Sequence, residues 1–465
     1  MWVLTVEEVA AAMNGRILGP ISVPTVSGVS TDSRKPASGC LFFAVCGERF
    51  DGHAFAPEVL ERDGGVAVVS DPSCVATKYR DAGRLIQVAD TIEALNRLAA
   101  WYRRQIAAVV IGVVGSNGKT TTKDMIATVL GAKKRGRAAE GSFNNSIGVP
   151  LTVLAADPAD EFVVLEIGTN HPGEVAALGR LVQPDMAVIT SIGEEHLEFF
   201  GTVEAVAEEE FSLLSTLPRR SFVAISEQAA EQAPAGATDE CTLLVYGFGE
   251  RADLRAAEVI TDVEGQRFKV NGRFEYRLPV LGRHNVVNAL AAIAVGTRLR
   301  LTHEEMAEGM ATVRTPPMRL ERLKLGGITV INDAYNANPS SMRMAFEVMN
   351  HLPDVGRRVF ILGDMRELGD KAVAGHQSLG REAGRSTAQV IIAVGAYARV
   401  VADGCTSTAG TSKRIYWFPT VEAAREKIGE LIEAGDTVLL KASRAVRLER
   451  LVERLKEGAR PIGAG

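Results

Sequence analysis

The stretch AVVIGVVGSNGKTT, Ala108 to Thr121, decides how the chain is read. Ala108 to Val114 is an unbroken apolar run, as a parallel strand covered on both faces requires. Gly115-Ser116-Asn117-Gly118 breaks it, and Lys119-Thr120-Thr121 opens a helical pattern. A Gly-rich turn between a buried strand and a helix aims backbone N–H groups at a phosphate, and the helix dipole adds attraction. In that setting Lys119, expected to face solvent, reaches the β- and γ-phosphates, and the Thr120 hydroxyl ligates Mg²⁺. Gly115, Ser116, Asn117, Gly118, Lys119, Thr120 and Thr121 are therefore candidates for binding ATP. The spacing departs from the commonest phosphate-loop pattern, because Val113 stands where its first Gly belongs. The competing reading is a strand-to-helix turn that binds nothing.

Working outward, Phe162 to Ile167 and Met186 to Ile192 repeat the apolar run and end in polar residues. Open α/β sheets place their ligands at such strand ends. Glu166 there is a candidate Mg²⁺ ligand, since that ion takes oxygen donors. His196 also follows a strand, although a lone histidine is more often structural. Upstream, Cys40 to Val45 and Gly65 to Val69 read as short buried strands, and Thr91 to Arg104 as a helix. Ser226 to Glu240 reads as a surface insertion, Asp253 to Leu278 as a hairpin addition, and His284 to Leu299 as a helix. Past Arg314 to Pro317, the runs Thr329–Asn332, Arg358–Leu362, Val390–Val394 and Thr437–Leu440 are strands spaced by helical segments, a second α/β unit.

A chain of 465 residues suits about three units. The expected fold class is α/β in three domains. These are a small α/β N-terminal domain (1–100), a central P-loop ATPase-like parallel-sheet domain (101–313) and a C-terminal Rossmann-like α/β domain (314–465). Tyr102 to Ala107 and Arg314 to Pro317 are the expected hinges. Net charge is −5, which points to neither nucleic acid nor an acidic membrane surface. The five cysteines form no Cys-x-x-Cys pair, so a reduced, cytoplasmic protein without structural zinc is expected. The N-terminus has no positively charged leader, and no apolar run reaches membrane-span length, so no membrane insertion is expected.

The loop Gly115 to Thr121 resembles that of the Mur ligases and their relatives the folylpolyglutamate synthases. So does Gly141-Ser142-Phe143-Asn144-Asn145-Ser146-Ile147-Gly148-Val149-Pro150, which resembles the family segment that positions substrate and phosphate. Three further segments resemble the branch that adds D-alanyl-D-alanine. They are Glu166 to Glu174 (EIGTNHPGE), Asp333 to Met342 (DAYNANPSSM) and Leu362 to Gly369 (LGDMRELG). The resemblance runs from about Thr31 to about Arg447. It implies an ATP- and Mg²⁺-dependent amide ligase of cell-wall synthesis whose partners are the small molecules UDP-N-acetylmuramoyl-tripeptide and D-alanyl-D-alanine, working as a monomer. The rivals are a Mur-type ligase adding a single amino acid and a non-catalytic ATP-binding regulator.

The same resemblance assigns roles by position. Lys119, Glu166 and His196 become catalytic, and Thr120, Glu166 and His196 metal-binding. Asn285, Asn288, Arg319 and Asp333 join the ATP site. Asn144 and Asn145 join the substrate site, as do Ser33, Arg34, Gly47, Asp51 and His53, at the uridine end of the precursor. Asn336, Asn338, Ser341, Lys441 and Arg444 would bind the dipeptide, and a Lys-x-x-Arg pair can hold a carboxylate. Mur ligases commonly carry a lysine shortly after the histidine, carbamylated by CO₂ to bind a second Mg²⁺. Here Glu210 stands at that place, and no lysine occurs between Lys134 and Lys269. Glu210 is thus a candidate metal ligand, against the plainer reading of Glu208 to Glu210 as a solvated acidic run.

Overall fold

A computed structural model describes residues 2–34, 39–47, 50–62, 64–353, 355–410 and 412–458. The apolar runs become the middle strands of three sheets. The central sheet has nine strands, in the order Phe274–Leu278, Gly265–Val270, Leu254–Asp262, Thr242–Gly247, Phe222–Ser226, Met186–Ile189, Val109–Val114, Phe162–Glu166, Gly136–Ala138. It is parallel from Gly136–Ala138 to Leu254–Asp262, and the last two strands run antiparallel. Val109–Val114 lies near the middle, and its residues from Val110 onward are buried. Register places Val113 beside Glu166 and Val114 beside Ile189. The turns after these three strands therefore leave the sheet side by side.

The N-terminal sheet has five strands, ordered Arg16–Leu18, Leu85–Gln87, Val66–Val69, Leu41–Phe43, Val29–Ser30. The C-terminal sheet has six, ordered Glu321–Leu325, Ile328–Asp333, Thr437–Lys441, Arg358–Gly363, Val390–Val394, Arg414–Phe418. Only the first pair of each runs antiparallel. The three-unit α/β architecture expected from the sequence is therefore present.

Two local readings need correction. Ser226 does not open a surface insertion: it closes a fully buried strand, and its hydroxyl caps the short helix Glu227–Ala230. The Ala/Glu/Gln composition that follows hid this. Nor is Tyr102 to Ala107 a free hinge. The helix Thr91–Arg103 packs against Gly148–Leu154, and one apolar cluster runs from Leu41, Phe43 and Val68 through Leu98 and Tyr102 to Val110 and Val163. The Tyr102 hydroxyl donates to Ala156 O at 2.7 Å, and Trp2 donates to Leu154 O. The N-terminal and central sheets thus share a core. By contrast, Arg314 to Pro317 is irregular and includes exposed residues.

Tyr102→Phe should lower unfolding free energy by about 1–3 kcal/mol, because the buried Ala156 carbonyl loses its partner. Chemical denaturation measures this, and unchanged stability would mean that the bond does not help to tie the two units.

Candidate active site

The phosphate loop is built by two glycines that no other residue could replace without strain. Gly115 has φ +123° and Gly118 φ +86°, both in the left-handed region. A Cβ on Gly118 would stand 2.6 Å from Asn288 Oδ1, so the helix Arg283–Arg298 presses directly on the turn. Gly118 then caps Lys119–Gly131. Ser116 N donates to Ser191 O at 2.6 Å, and Gly193 N to Ser116 Oγ at 2.8 Å, locking the loop onto the strand end beside it.

Lys119 does not face solvent. Its side chain is 13% exposed and its ammonium donates to Gly115 O, 3.5 Å from Glu195 Oε2 and 4.0 Å from Glu210 Oε1. Burial alone would lower its pKa, but Glu195, Glu210 and Glu166 outweigh burial and raise it. Burial drives the Glu195 carboxyl well above the usual carboxylate range, against the pull of Lys119. Glu166 ends its strand 2% exposed; Asn144 Nδ2 donates to its Oε1 at 3.0 Å. Glu166 Oε2 and Glu195 Oε1 are buried with no hydrogen-bond partner among the described residues, and both side chains line the cleft. Buried carboxylate oxygens left open toward a phosphate loop are donors that fit a hard divalent cation, which takes water and phosphate for its other ligands.

The cleft encloses about 970 Å³ between the central and C-terminal sheets. Of the residues singled out by sequence, Ser116 to Thr121, Asn144, Asn145, Glu166, His196, Asn285, Asn288, Arg319, Asp333, Asn336, Asn338, Ser341 and Lys441 line it. Several are already engaged across it. Arg319 donates to Thr120 Oγ1 at 2.9 Å and lies over the Tyr335 ring, while Tyr335 OH meets Ser142 Oγ. Asn117 bonds Ser340 at 2.9 Å and Asn338 at 3.1 Å. Lys441, 2% exposed, pairs with Asp333 at 2.6 Å. Asn338 and Ser341 form the capping box of the helix Pro339–His351. Asn145 Oδ1 accepts from Ile147 N at 3.1 Å and Gly148 N at 2.9 Å, holding the turn that leads into the helix Gly148–Leu154. His284, half-buried beside Lys441, is pushed down to about 4 mainly by burial and so stays neutral.

Three groups of candidates depart from expectation. Arg444 does not join Lys441: Lys441 ends the strand Thr437–Lys441 inside the cleft, whereas Arg444 opens the one-turn helix Arg444–Val446 outside its lining and pairs with Glu449 at 3.1 Å. Gly115 braces the loop from behind and is not a lining residue. Glu210 is fully buried and also outside the lining; its Oε2 accepts from Gly115 N at 2.8 Å. It supports the underside of the phosphate loop through Oε2, while its Oε1, buried with no hydrogen-bond partner among the described residues, lies 4.0 Å from Lys119 Nζ. The neighbouring residues are not a solvated run either: Glu209 accepts from Gly173 N at 2.6 Å and Val175 N at 2.8 Å, while Glu208 alone is exposed.

The remaining group, Ser33, Arg34, Gly47, Asp51 and His53, lies in the N-terminal sheet away from this cleft. Glu48 and Arg49 of the same motif lie outside the described residues. Arg34 pairs with Asp32 at 2.8 Å. Gly47 N donates to Phe50 O at 2.8 Å, closing the turn before Asp51. Ser70 N and Asp71 N approach His53 Nε2 at 3.0 and 3.4 Å, which puts the ring proton on Nδ1, donated to Asp51 Oδ1 at 2.7 Å. The Cys46 thiol also donates to Asp51, and these bonds hold that carboxyl down to about 2. A metal at Nδ1 would have to displace this proton and leave an imidazolate. The trio is a hydrogen-bonded turn.

Sequence reasoning missed Glu195, Glu209, Tyr335 and Glu367. Glu195 directly precedes His196, and proximity to a strand end was a usable signal. Glu209 had none, because an acidic triplet looks the same whether solvated or capping.

Family models match most of the chain: a Mur ligase family catalytic domain over 25–103, a Mur ligase middle domain over 113–296 and a Mur ligase glutamate ligase domain over 318–444. The chain belongs to the Mur ligase family. Within it, the UDP-N-acetylmuramoyl-tripeptide–D-alanyl-D-alanine ligase of Bacillus subtilis is 37% identical over 97% of this chain and 98% of that one. The Escherichia coli ligase of the same name is 32% identical, over 98% of each. A crystal structure of MurF from Acinetobacter baumannii superposes with TM-score 0.87 at 30% identity, covering 98% of this chain and 99% of that one. The Thermotoga maritima MurF ligase, solved with ADP, superposes with TM-score 0.79 at 25% identity, covering 93% and 98%. A Mycobacterium tuberculosis folylpolyglutamate synthase shares the fold at TM-score 0.61 and 18% identity. Among the described residues of this Mur ligase, no helix is long and apolar enough to cross a membrane.

The position of Glu210 gives a test. Glu210→Ala should slow turnover at least tenfold and destabilise the protein by about 1–3 kcal/mol, since Gly115 N loses a buried acceptor. The Mg²⁺ concentration for half-maximal rate should move little, and Glu208→Ala should change neither quantity. A large Mg²⁺ shift with an intact fold would return Glu210 to the metal.

Proposed function

We propose that this chain joins D-alanyl-D-alanine to the terminal carboxylate of UDP-N-acetylmuramoyl-tripeptide, consuming ATP, in peptidoglycan precursor synthesis. The observation that carries the reading is the cleft itself. It joins a phosphate loop and buried acids on one wall to Asp333, Asn336, Asn338 and Lys441 on the other. Relatives bearing this activity align over nearly the whole chain.

In this reading Ser116 to Thr121 hold the ATP phosphates on a turn braced by Gly115, with Lys119 swinging from Gly115 O to the transferring group. Asn285 and Asn288 flank the nucleotide, and Arg319 and Asp333 reach it from the C-terminal side. Bound Mg²⁺, held by Thr120, Glu166 and His196, would neutralise phosphate charge. A carboxylate oxygen of the precursor attacks the γ-phosphorus and ADP leaves, giving an acyl phosphate. The dipeptide amine then attacks the acyl carbon, loses a proton, and phosphate departs as the amide forms. Asn144 and Asn145 align the precursor's reactive end, and Ser33, Arg34, Gly47, Asp51 and His53 hold its uridine end. Asn336, Asn338, Ser341 and Lys441 receive the dipeptide. The protein's work is alignment and charge neutralisation in a closed cleft that keeps water from the acyl phosphate. The domains divide at about residues 100 and 313, and the enzyme acts as a cytoplasmic monomer.

Lys119→Ala should cut kcat/KM by on the order of 100-fold or more, about 3 kcal/mol of transition-state stabilisation. Because Lys119 balances buried acids, circular dichroism must confirm the fold. Near-normal ADP release from the folded variant, or wild-type ADP release that ignores the dipeptide, would refute the assignment.

A further inference from the structure

The segment Leu362 to Gly369 resembles a branch signature, yet the reaction just described gives it nothing to do. In the structure it is a rigid loop. Asp364 accepts from Ala396 N at 2.8 Å and Tyr397 N at 3.0 Å, His376 Nε2 accepts from Met365 N at 2.9 Å, and Arg366 N donates to Ser443 Oγ at 2.9 Å. The loop holds Glu367 at φ +62°, a conformation that a residue with a Cβ seldom adopts. That backbone turn lays Glu367 across the other wall of the cleft. Glu367 O accepts from Glu198 N at 3.1 Å, and Glu367 Oε2 stands 2.6 Å from His196 Nδ1, displaced from the line of the N–H. Two residues on, Gly369 passes so near Glu198 that a Cβ would lie 3.4 Å from its Cα. Lys371 Nζ completes the contact by donating to Gly201 O at 3.0 Å.

His196 is itself held at φ +47°, ahead of the short helix Leu197–Phe200. At 2.6 Å an unprotonated ring nitrogen and a carboxylate oxygen would set two lone pairs against each other, so the contact favours a proton on Nδ1. In the neutral ring the proton therefore sits on Nδ1, which leaves the lone pair on Nε2, 3.9 Å from Glu195 Oε2. A histidine that ligates a cation is commonly oriented in this way, by a carboxylate on its far nitrogen. Here the carboxylate comes from another domain. From this arrangement we propose that Glu367 is a positioning residue: when the C-terminal domain docks, it sets the tautomer and orientation of His196 and so completes the site on closure. This rests on the ligase reading for its kinetic consequence, but the ring state is independent of it. Glu194 and Arg343, 3.1 Å apart, lie beside the same contact and help to hold the two walls together.

The test uses the full-length protein as wild type, Glu367→Gln and Glu367→Ala, with histidine ring nitrogens labelled with ¹⁵N and His196→Asn used to assign the signal. Spectra are recorded above the ordinary imidazole titration range, without Mg²⁺ and with saturating non-hydrolysable ATP analogue. Wild type and Glu367→Gln should show His196 protonated on Nδ1, and Glu367→Ala should shift it toward the Nε2–H form. In steady-state ligation, Glu367→Ala should lower kcat at least about tenfold while KM for ATP changes less than about threefold, and Glu367→Gln should recover most of kcat. A wild-type His196 protonated on Nε2, or a Glu367→Ala enzyme with unchanged kcat, overturns the proposal. If wild-type protein performs no ligation, the function reading fails, while the ring spectra still decide whether Glu367 controls His196.

Discussion

Everything at this site depends on an electrostatic balance beneath one turn of chain. Lys119 is drawn back against Gly115 O, with Glu195 and Glu210 within 4.0 Å. A buried cation without partners would lose its proton, and buried carboxylates without a cation would gain theirs. Together they keep Lys119 charged, while burial still drives Glu195 toward its protonated form. A nucleoside triphosphate brings negative charge that can take Lys119 away from its carboxylates. The loop is thus built to be incomplete until substrate arrives.

Geometry is preserved during that exchange by the helix Val203–Phe211. Its adjacent residues Glu209 and Glu210 reach different targets, the start of the helix Glu174–Val182 and the Gly115 amide. One short helix therefore braces both the Glu166 loop and the phosphate loop. Buried carboxylates that accept backbone N–H groups are strong, directional supports. The N-terminal and central sheets share a core, whereas the C-terminal sheet meets the cleft through side-chain pairs such as Asn117–Ser340 and Arg319–Thr120. Polar contacts of this kind break and re-form at lower cost than a shared apolar core, so the seam on the C-terminal side is the one built to open more readily.

What the sequence made legible follows from what kind of interaction each residue serves. Apolar periodicity located the strands ending at Val114, Glu166 and Val394 within a residue or so, because burial on both faces leaves few other patterns. Ser226 was misread because its strand is short and the composition beyond it is polar. Lys119, Thr120 and Glu166 were legible from strand-end position. Arg444 was misassigned because i,i+3 spacing implies a shared face only within one helix, and here Lys441 ends a strand while Arg444 opens the turn after it. That Glu210 reaches the Gly115 amide was not legible, since sequence gives a helix face but not what lies across from it. Glu367 was invisible as a site residue because its partner, His196, belongs to another domain.

The central claim is that the precursor carboxylate itself accepts the phosphoryl group in this cleft. Tripeptide precursor carrying ¹⁸O in its terminal carboxylate, incubated with enzyme, ATP and D-alanyl-D-alanine, tests it directly by mass analysis of the released phosphate. One ¹⁸O atom should appear in each phosphate, with ADP as the nucleotide product. Phosphate without label, or label recovered in AMP, would contradict the account.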